Sequence, residues 1–148
     1  MRKIVSLVVF GLFSFAAMAQ IKDPVKWTAT SRKTAGGVEV VLAASLPKPW
    51  HIYSQFTGEG GPIATSFKFS KNPLVTLDGN TKEVGKLKEQ YDKLFDTNVK
   101  YFGNNVEFVQ LVKVKGNVKT NLNVTVEYMT CDDSQCLPPT KKNFTISL

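Results

Sequence analysis

Residues 105–114 read NVEFVQLVKV, and their side chains alternate between two faces. The first face carries Val106, Phe108, Gln110, Val112 and Val114, and the second carries Glu107, Val109, Leu111 and Lys113. A repeat of two residues is the period of a β-strand and not that of a helix. The pattern therefore predicts a long strand with one buried face.

Shorter stretches on both sides of this strand alternate in the same way. They lie at 38–42, at Ile63 with 67–69, at 122–128 and at 144–148, and turn-forming residues separate them. Residues 83–95 resemble a helix, but Gly85 and the strand-like 99–102 favour a loop or short turn there. Roughly seven to nine such strands predict an all-β fold, an antiparallel β-sandwich of immunoglobulin-like type.

Composition excludes several classes of function. The chain has 148 residues, a net charge of +7, two cysteines and one histidine, which are too few N and S ligands for a closed zinc site. It contains no haem attachment motif, phosphate-binding loop or nucleophile elbow, so we expect no cofactor and no metal. The lysines alternate with apolar and acidic residues along the strands, which favours solvated faces over a nucleic-acid site.

The N-terminus has the organisation of a secretory signal peptide. Arg2 and Lys3 precede an apolar run at 4–15, and the small-residue site Ala17-Met18-Ala19 follows it. We expect residues 1–19 to be removed after Ala19 and residues 20–148 to form one domain. The remaining chain has no segment long and apolar enough to enter a membrane. The predicted location is an exported compartment, where disulfides form and persist.

Both cysteines lie in one short segment. Cys131 and Cys136 flank four polar residues, and Pro138-Pro139 begins an extended exit that cannot pair on one edge. The segment is typical of a hairpin that brings the two sulfurs together near the surface. A disulfide that closes a loop this short stabilises a fold by about 2 kcal/mol, whereas one that closes a hundred-residue loop contributes nearly 5 kcal/mol.

Three functions remain open from these residues alone. A short disulfide at a surface tip is readily reached by another thiol, which favours redox exchange. The alternative is an exported immunoglobulin-like binding or assembly module in which the disulfide is purely structural. A third and weaker possibility is a metal site formed by both thiolates and His51.

The segment CDDSQCLPPT at 131–140 resembles the active-site segment of the N-terminal periplasmic domain of the thiol:disulfide interchange protein DsbD. The aromatic stretch 49–55, the turn 60–62 with the strand 67–69, and residues 91–95 are also similar to that family. The resemblance implies an immunoglobulin-like sandwich and a catalytic pair formed by Cys131 and Cys136.

The resemblance also implies partners and a direction of chemistry. The family passes electrons from a membrane thiol reductase to thioredoxin-like periplasmic proteins, including those of cytochrome c maturation. Because this chain stops at Leu148, we expect a stand-alone version whose electron donor acts in trans. Whether it acts as an enzyme, a protein-disulfide reductase, is left open. Cys136 would form the mixed disulfide with a partner, and Cys131 would resolve it.

The same resemblance assigns surroundings to the cysteine pair. The residues expected there are His51, Tyr53, Asp92, Leu94, Phe95, Asp132, Asp133 and Pro138. Leu94 and Phe95, where the family typically has an aromatic pair, would cover the cysteines, unless both are ordinary core residues. His51 is the one side chain there that titrates near neutral pH and would tune a thiol. Asp132 and Asp133 would disfavour a thiolate until a partner docks, unless they only form the turn.

Overall fold

The computed structural model describes residues 23–116 and 118–148. The predicted signal peptide, residues 1–19, lies outside the described residues. The described chain contains eleven strands and no helix. They are β1 (Lys26–Thr34), β2 (Gly37–Ser45), β3 (His51–Tyr53), β4 (Ser66–Phe69), β5 (Val75–Gly85), β6 (Lys88–Asp92), β7 (Thr97–Gly103), β8 (Asn105–Val114), β9 (Asn121–Tyr128), β10 (Thr130–Cys131) and β11 (Thr140–Ser147).

The strands form three antiparallel sheets. The large sheet has the order β1-β2-β8-β5, the second sheet β11-β9-β4, and the third, called here the site sheet, β10-β3-β7-β6. Strand β8 occupies the centre of the large sheet and pairs with β2 on one side and β5 on the other. The stretch at 105–114 is a strand, as its alternation predicts, and its two neighbours make it a central one.

The core lies between the large sheet and the sheet around β9. Phe108 of β8 is fully buried, with ring centroids of Phe67 and Trp27 at 4.9 Å and 6.0 Å. Val124 and Val126 of β9 close the core from the opposite side. Burying such apolar surface is the main favourable term in folding, so the two alternating stretches fix which faces meet. The immunoglobulin-like antiparallel sandwich is confirmed.

The prediction of a loop or short turn over 83–95 is wrong for most of that range. Strand β5 extends through Gly85, because its last four residues pair with β8 beyond an irregularity between Asp78 and Lys82. Strand β6 then pairs along β7 from Lys88 to Asp92. These strands are held by partners distant in the sequence, which local alternation and turn chemistry do not reveal. Ile63, grouped with Phe67 and Phe69 above, precedes β4 and is exposed.

The site sheet positions the cysteines. Ile52 of β3 and Phe102 of β7 face the main core, whereas Tyr53 and Tyr101 belong to a second buried cluster. Neighbouring residues of a strand point to opposite faces, so one sheet serves both clusters. Within the described residues, no helix is long and apolar enough to span a membrane.

Candidate functional site

Cys131 and Cys136 form a disulfide across a tight hairpin. Their Cα atoms are 4.0 Å apart, and they face each other as a bridged antiparallel pair. The N–H of Leu137 donates to the carbonyl of Thr130, and the N–H of Asp132 donates to that of Gln135, each at 2.9 Å. These bonds flank the cysteine pair, which therefore occupies a narrow, non-hydrogen-bonded position where side chains approach most closely. Four intervening residues are what this geometry requires.

Asp132 holds the turn of this hairpin. Its Oδ1 accepts hydrogen bonds from the N–H groups of Ser134 and Gln135 and from the Ser134 hydroxyl, all at 2.9 Å. These bonds lower the pKa of Asp132 to about 2 because they favour the charged carboxylate, and the bond from the Ser134 N–H has the largest effect. Asp133 is exposed and lines a groove of about 280 Å³ together with His51 and Tyr101.

The two sulfurs differ in burial. Cys131 is 1% exposed and packs in the second cluster with Tyr53, Val99 and Tyr101, whereas Cys136 is partly exposed at its margin. The prediction of a pair lying at the surface is therefore wrong for Cys131. The reason is the pairing of β10 with β3, which places the first cysteine in the edge strand of the site sheet and its side chain in the second cluster. The second cysteine remains on the returning segment.

His51 and Tyr53 lie on the cysteine side of the site sheet. His51 is the direct Cα partner of Cys131, and Tyr53 is the partner of Tyr101. The His51 ring lies 4.7 Å from the Tyr101 ring, and its Nε2 is 3.3 Å from the Tyr53 hydroxyl. Burial lowers the pKa of His51 and raises that of Tyr53, because it disfavours the charged form of each.

The hairpin between β6 and β7 separates the two predicted cover residues. Phe95 packs on the second cluster, edge-on to Tyr53 at 6.3 Å between centroids. Leu94 points outward and is 63% exposed. The N–H of Leu94 donates to Asp92 at 2.8 Å, and Asp96 closes the turn in the left-handed region at φ 54°. The structure thus brings Phe95, and not Leu94, to the cysteine cluster.

Other residues complete the site. Pro138 is exposed in the extended stretch before β11, which begins at Thr140. Sequence reasoning missed Val99 and Tyr101 as members of the cluster, although it identified their stretch as strand-like. Only the tertiary packing shows that they belong to the cluster that contains Cys131. In the described part of the chain, no three His, Cys, Asp or Glu side chains are grouped to hold a metal ion.

Comparisons with known proteins agree with this geometry. The family model described as "Thiol:disulfide interchange protein DsbD, N-terminal" matches residues 19–148. Comparison with curated proteins finds no match.

Three solved structures resemble the fold. The reduced DsbD N-terminal domain of Neisseria meningitidis has a TM-score of 0.54 at 16% identity, over 82% of this chain and 85% of that one. The N-terminal periplasmic domain of ScsB from Proteus mirabilis has a TM-score of 0.52 at 19% identity, and the match covers 84% of this chain and 44% of that one. The complex between the DsbD and PilB N-terminal domains of N. meningitidis has a TM-score of 0.50 at 13% identity, and the match covers 80% of each chain.

The family match spans the whole described chain and includes the disulfide-bonded hairpin. The chain belongs to the family of DsbD N-terminal domains and is a thiol–disulfide exchange module that carries the Cys131–Cys136 pair.

Proposed function

We propose that this module passes electrons from a membrane thiol reductase to thioredoxin-like proteins of the periplasm through Cys131 and Cys136. The observation that carries the proposal is the unequal burial of the two sulfurs. Cys131 is enclosed by the second cluster, whereas Cys136 is partly exposed on the segment that leaves the hairpin. An incoming partner sulfur reaches an exposed sulfur more readily than a buried one, so Cys136 is the sulfur that exchanges.

The reaction balances as two exchanges. In the reduced module, the Cys136 thiolate attacks a partner disulfide, forms a mixed disulfide and releases one partner thiolate. The Cys131 thiolate then attacks the Cys136 sulfur, closes the Cys131–Cys136 bond and releases the second partner thiolate. The partner gains two electrons and two protons overall. A dithiol of the donor reverses these steps and restores the reduced module.

The compared structures support the class of partner and the compartment. A DsbD N-terminal domain forms a complex with a PilB N-terminal domain, and the ScsB relative is a periplasmic domain. We place residues 20–148 in the periplasm as one domain, after cleavage behind Ala19, with thioredoxin-like proteins of cytochrome c maturation among its acceptors.

The residues around the cysteine pair would limit its exchange with molecules other than a docked partner. Phe95 lies over the cluster that holds Cys131, so the hairpin carrying it would shield the sulfurs until a partner displaces it. Asp132 and Asp133 lie in the turn between the two cysteines, and their negative charge would disfavour a free thiolate until a partner docks. His51 pairs with Cys131 across the two strands, and its ring contacts the Tyr53 hydroxyl.

A Cys131→Ser variant is expected to accumulate mixed disulfides, because Cys136 can still attack a partner and no thiol remains to resolve the bond. The measurement incubates the reduced variant with an oxidised thioredoxin-fold protein. Trapped complexes are separated on a non-reducing gel, and mass spectrometry identifies the linked cysteine. The linkage is expected at Cys136.

The matched control is Cys136→Ser, which keeps one cysteine in the same hairpin. It is expected to trap far less, because its remaining thiol lies in the buried cluster. Equal trapping by both variants would remove the proposed division of roles. A native disulfide that resists reduction down to about −300 mV would instead favour the structural alternative, an exported binding or assembly module.

A further inference from the structure

The second exchange requires Cys131 to lose a proton inside the protein. A thiol has an ordinary pKa of about 8.5, so at neutral pH it reacts only after a base removes its proton. Cys131 is almost fully buried in the second cluster, which leaves bulk water little access to its sulfur. The proton therefore needs an acceptor among the groups packed around this cysteine.

Titratable and charged groups approach this region from each neighbouring element. Strand β3 contributes His51 and Tyr53, strand β7 contributes Tyr101, and the chain before β3 contributes Lys48. The remaining ones are Lys88 and Asp92 of β6, and Asp132 and Asp133 of the cysteine hairpin.

Most of these groups are poor proton acceptors at neutral pH. Asp132 is occupied by three short hydrogen bonds of the turn and has a pKa of about 2. Asp133 is exposed to solvent in the turn, and Asp92 accepts the N–H of Leu94. The ammonium groups of Lys48 and Lys88 have no lone pair to accept a proton. Burial raises the pKa values of Tyr53 and Tyr101, so neither phenol is ionised at this pH.

His51 has the position and the chemistry that the others lack. It pairs directly with Cys131 across β3 and β10, and side chains of such cross-strand partners start from Cβ atoms about 4.5–5.5 Å apart. Its ring is held between Tyr53 and Tyr101, so it has little freedom to turn away. It is also the only histidine in the sequence.

Resting on the exchange function proposed above, we propose that His51 is the base that accepts the Cys131 proton in the resolving step. The proton moves from the Cys131 sulfur to the neutral imidazole, and the thiolate attacks Cys136 while the partner cysteine leaves as its own thiolate. When a donor reduces the pair, Cys131 leaves as a thiolate and takes the proton back from the imidazolium. No external oxidant or metal enters either step.

The environment of the ring suits this role in both directions. Burial lowers the pKa of His51, so the imidazole is neutral and able to accept a proton at pH 7. The carboxylates of Asp92, Asp132 and Asp133 oppose this shift and stabilise the imidazolium once it forms. A backbone hydrogen bond to Pro49 acts in the same sense.

The test follows single turnover of the reduced protein with an aromatic disulfide that releases a coloured thiolate. Attack by Cys136 releases the first coloured thiolate, and attack by Cys131 on the mixed disulfide releases the second. In His51→Phe, which keeps a ring between the tyrosines, the second phase is expected to slow by about 100-fold at pH 7. The first phase is expected to change little. The second-phase deficit should shrink as pH rises above the ordinary thiol pKa of about 8.5, because the thiol then ionises without a neighbouring base.

The pH profile separates a base from a packing residue. A deficit that is equal at every pH, or absent, in both His51→Phe and His51→Gln would overturn the role of His51. Loss of both phases in the native protein would instead contradict the exchange function itself. The two failures are therefore distinguishable in one experiment.

Discussion

A Phe108→Ala substitution is expected to lower the free energy of unfolding by about 3–5 kcal/mol. Phe108 is completely buried at the centre of the sandwich, with the rings of Phe67, Trp27 and Phe102 around it at 4.9, 6.0 and 6.4 Å. Truncation removes apolar surface from the core and leaves a cavity that three rigid strands cannot fill. Urea unfolding of the oxidised protein measures the loss.

The matched control is Phe56→Ala, which removes the same side chain from a site that is 63% exposed. Exposed substitutions of this kind usually change stability by less than about 0.5 kcal/mol. Comparable losses in the two variants would contradict a core centred on β8. A large loss confined to Phe108→Ala would show that the main cluster holds the scaffold together.

A Phe95→Ala variant is expected to be reduced by dithiothreitol about 30-fold faster than the native protein. The Phe95 ring covers the second cluster next to Tyr53, and its burial stabilises the closed hairpin by about 2 kcal/mol. Removing the ring raises the population of open molecules by the corresponding factor. Stopped-flow measurement of thiol appearance under excess dithiothreitol gives the rate.

Leu94→Ala is the control, since Leu94 precedes Phe95 in the same turn but points into solvent. Its reduction rate is expected to stay within about twofold of the native value, because few of its contacts are lost. If Leu94→Ala accelerates reduction as much as Phe95→Ala does, the turn as a whole would matter and not the ring. Unchanged rates in both variants would mean that the hairpin does not guard the sulfurs.

Much of the scaffold follows from alternation alone. The faces of 105–114 and 122–128 are correctly assigned because a buried strand needs apolar side chains at every second position, whatever its partner. The pairing of Cys131 with Cys136 is likewise local, because four turn residues leave the two chains at bonding distance. The strands within 83–95 do not follow from the sequence, because they are held by pairing with β7 and β8 and their own residues show no strong alternation.

The amino-acid sequence by itself determined the sandwich, the long strand at 105–114 and the disulfide hairpin, because periodicity and short-range spacing act within a few residues. The tertiary structure alone decided that Cys131 is buried while Cys136 stays accessible, and that Phe95 covers the cluster while Leu94 does not. It also placed His51 opposite Cys131, some eighty residues away along the chain. Such differences arise from strand register between distant segments, and burial is a property of the assembled sheets and not of any one stretch.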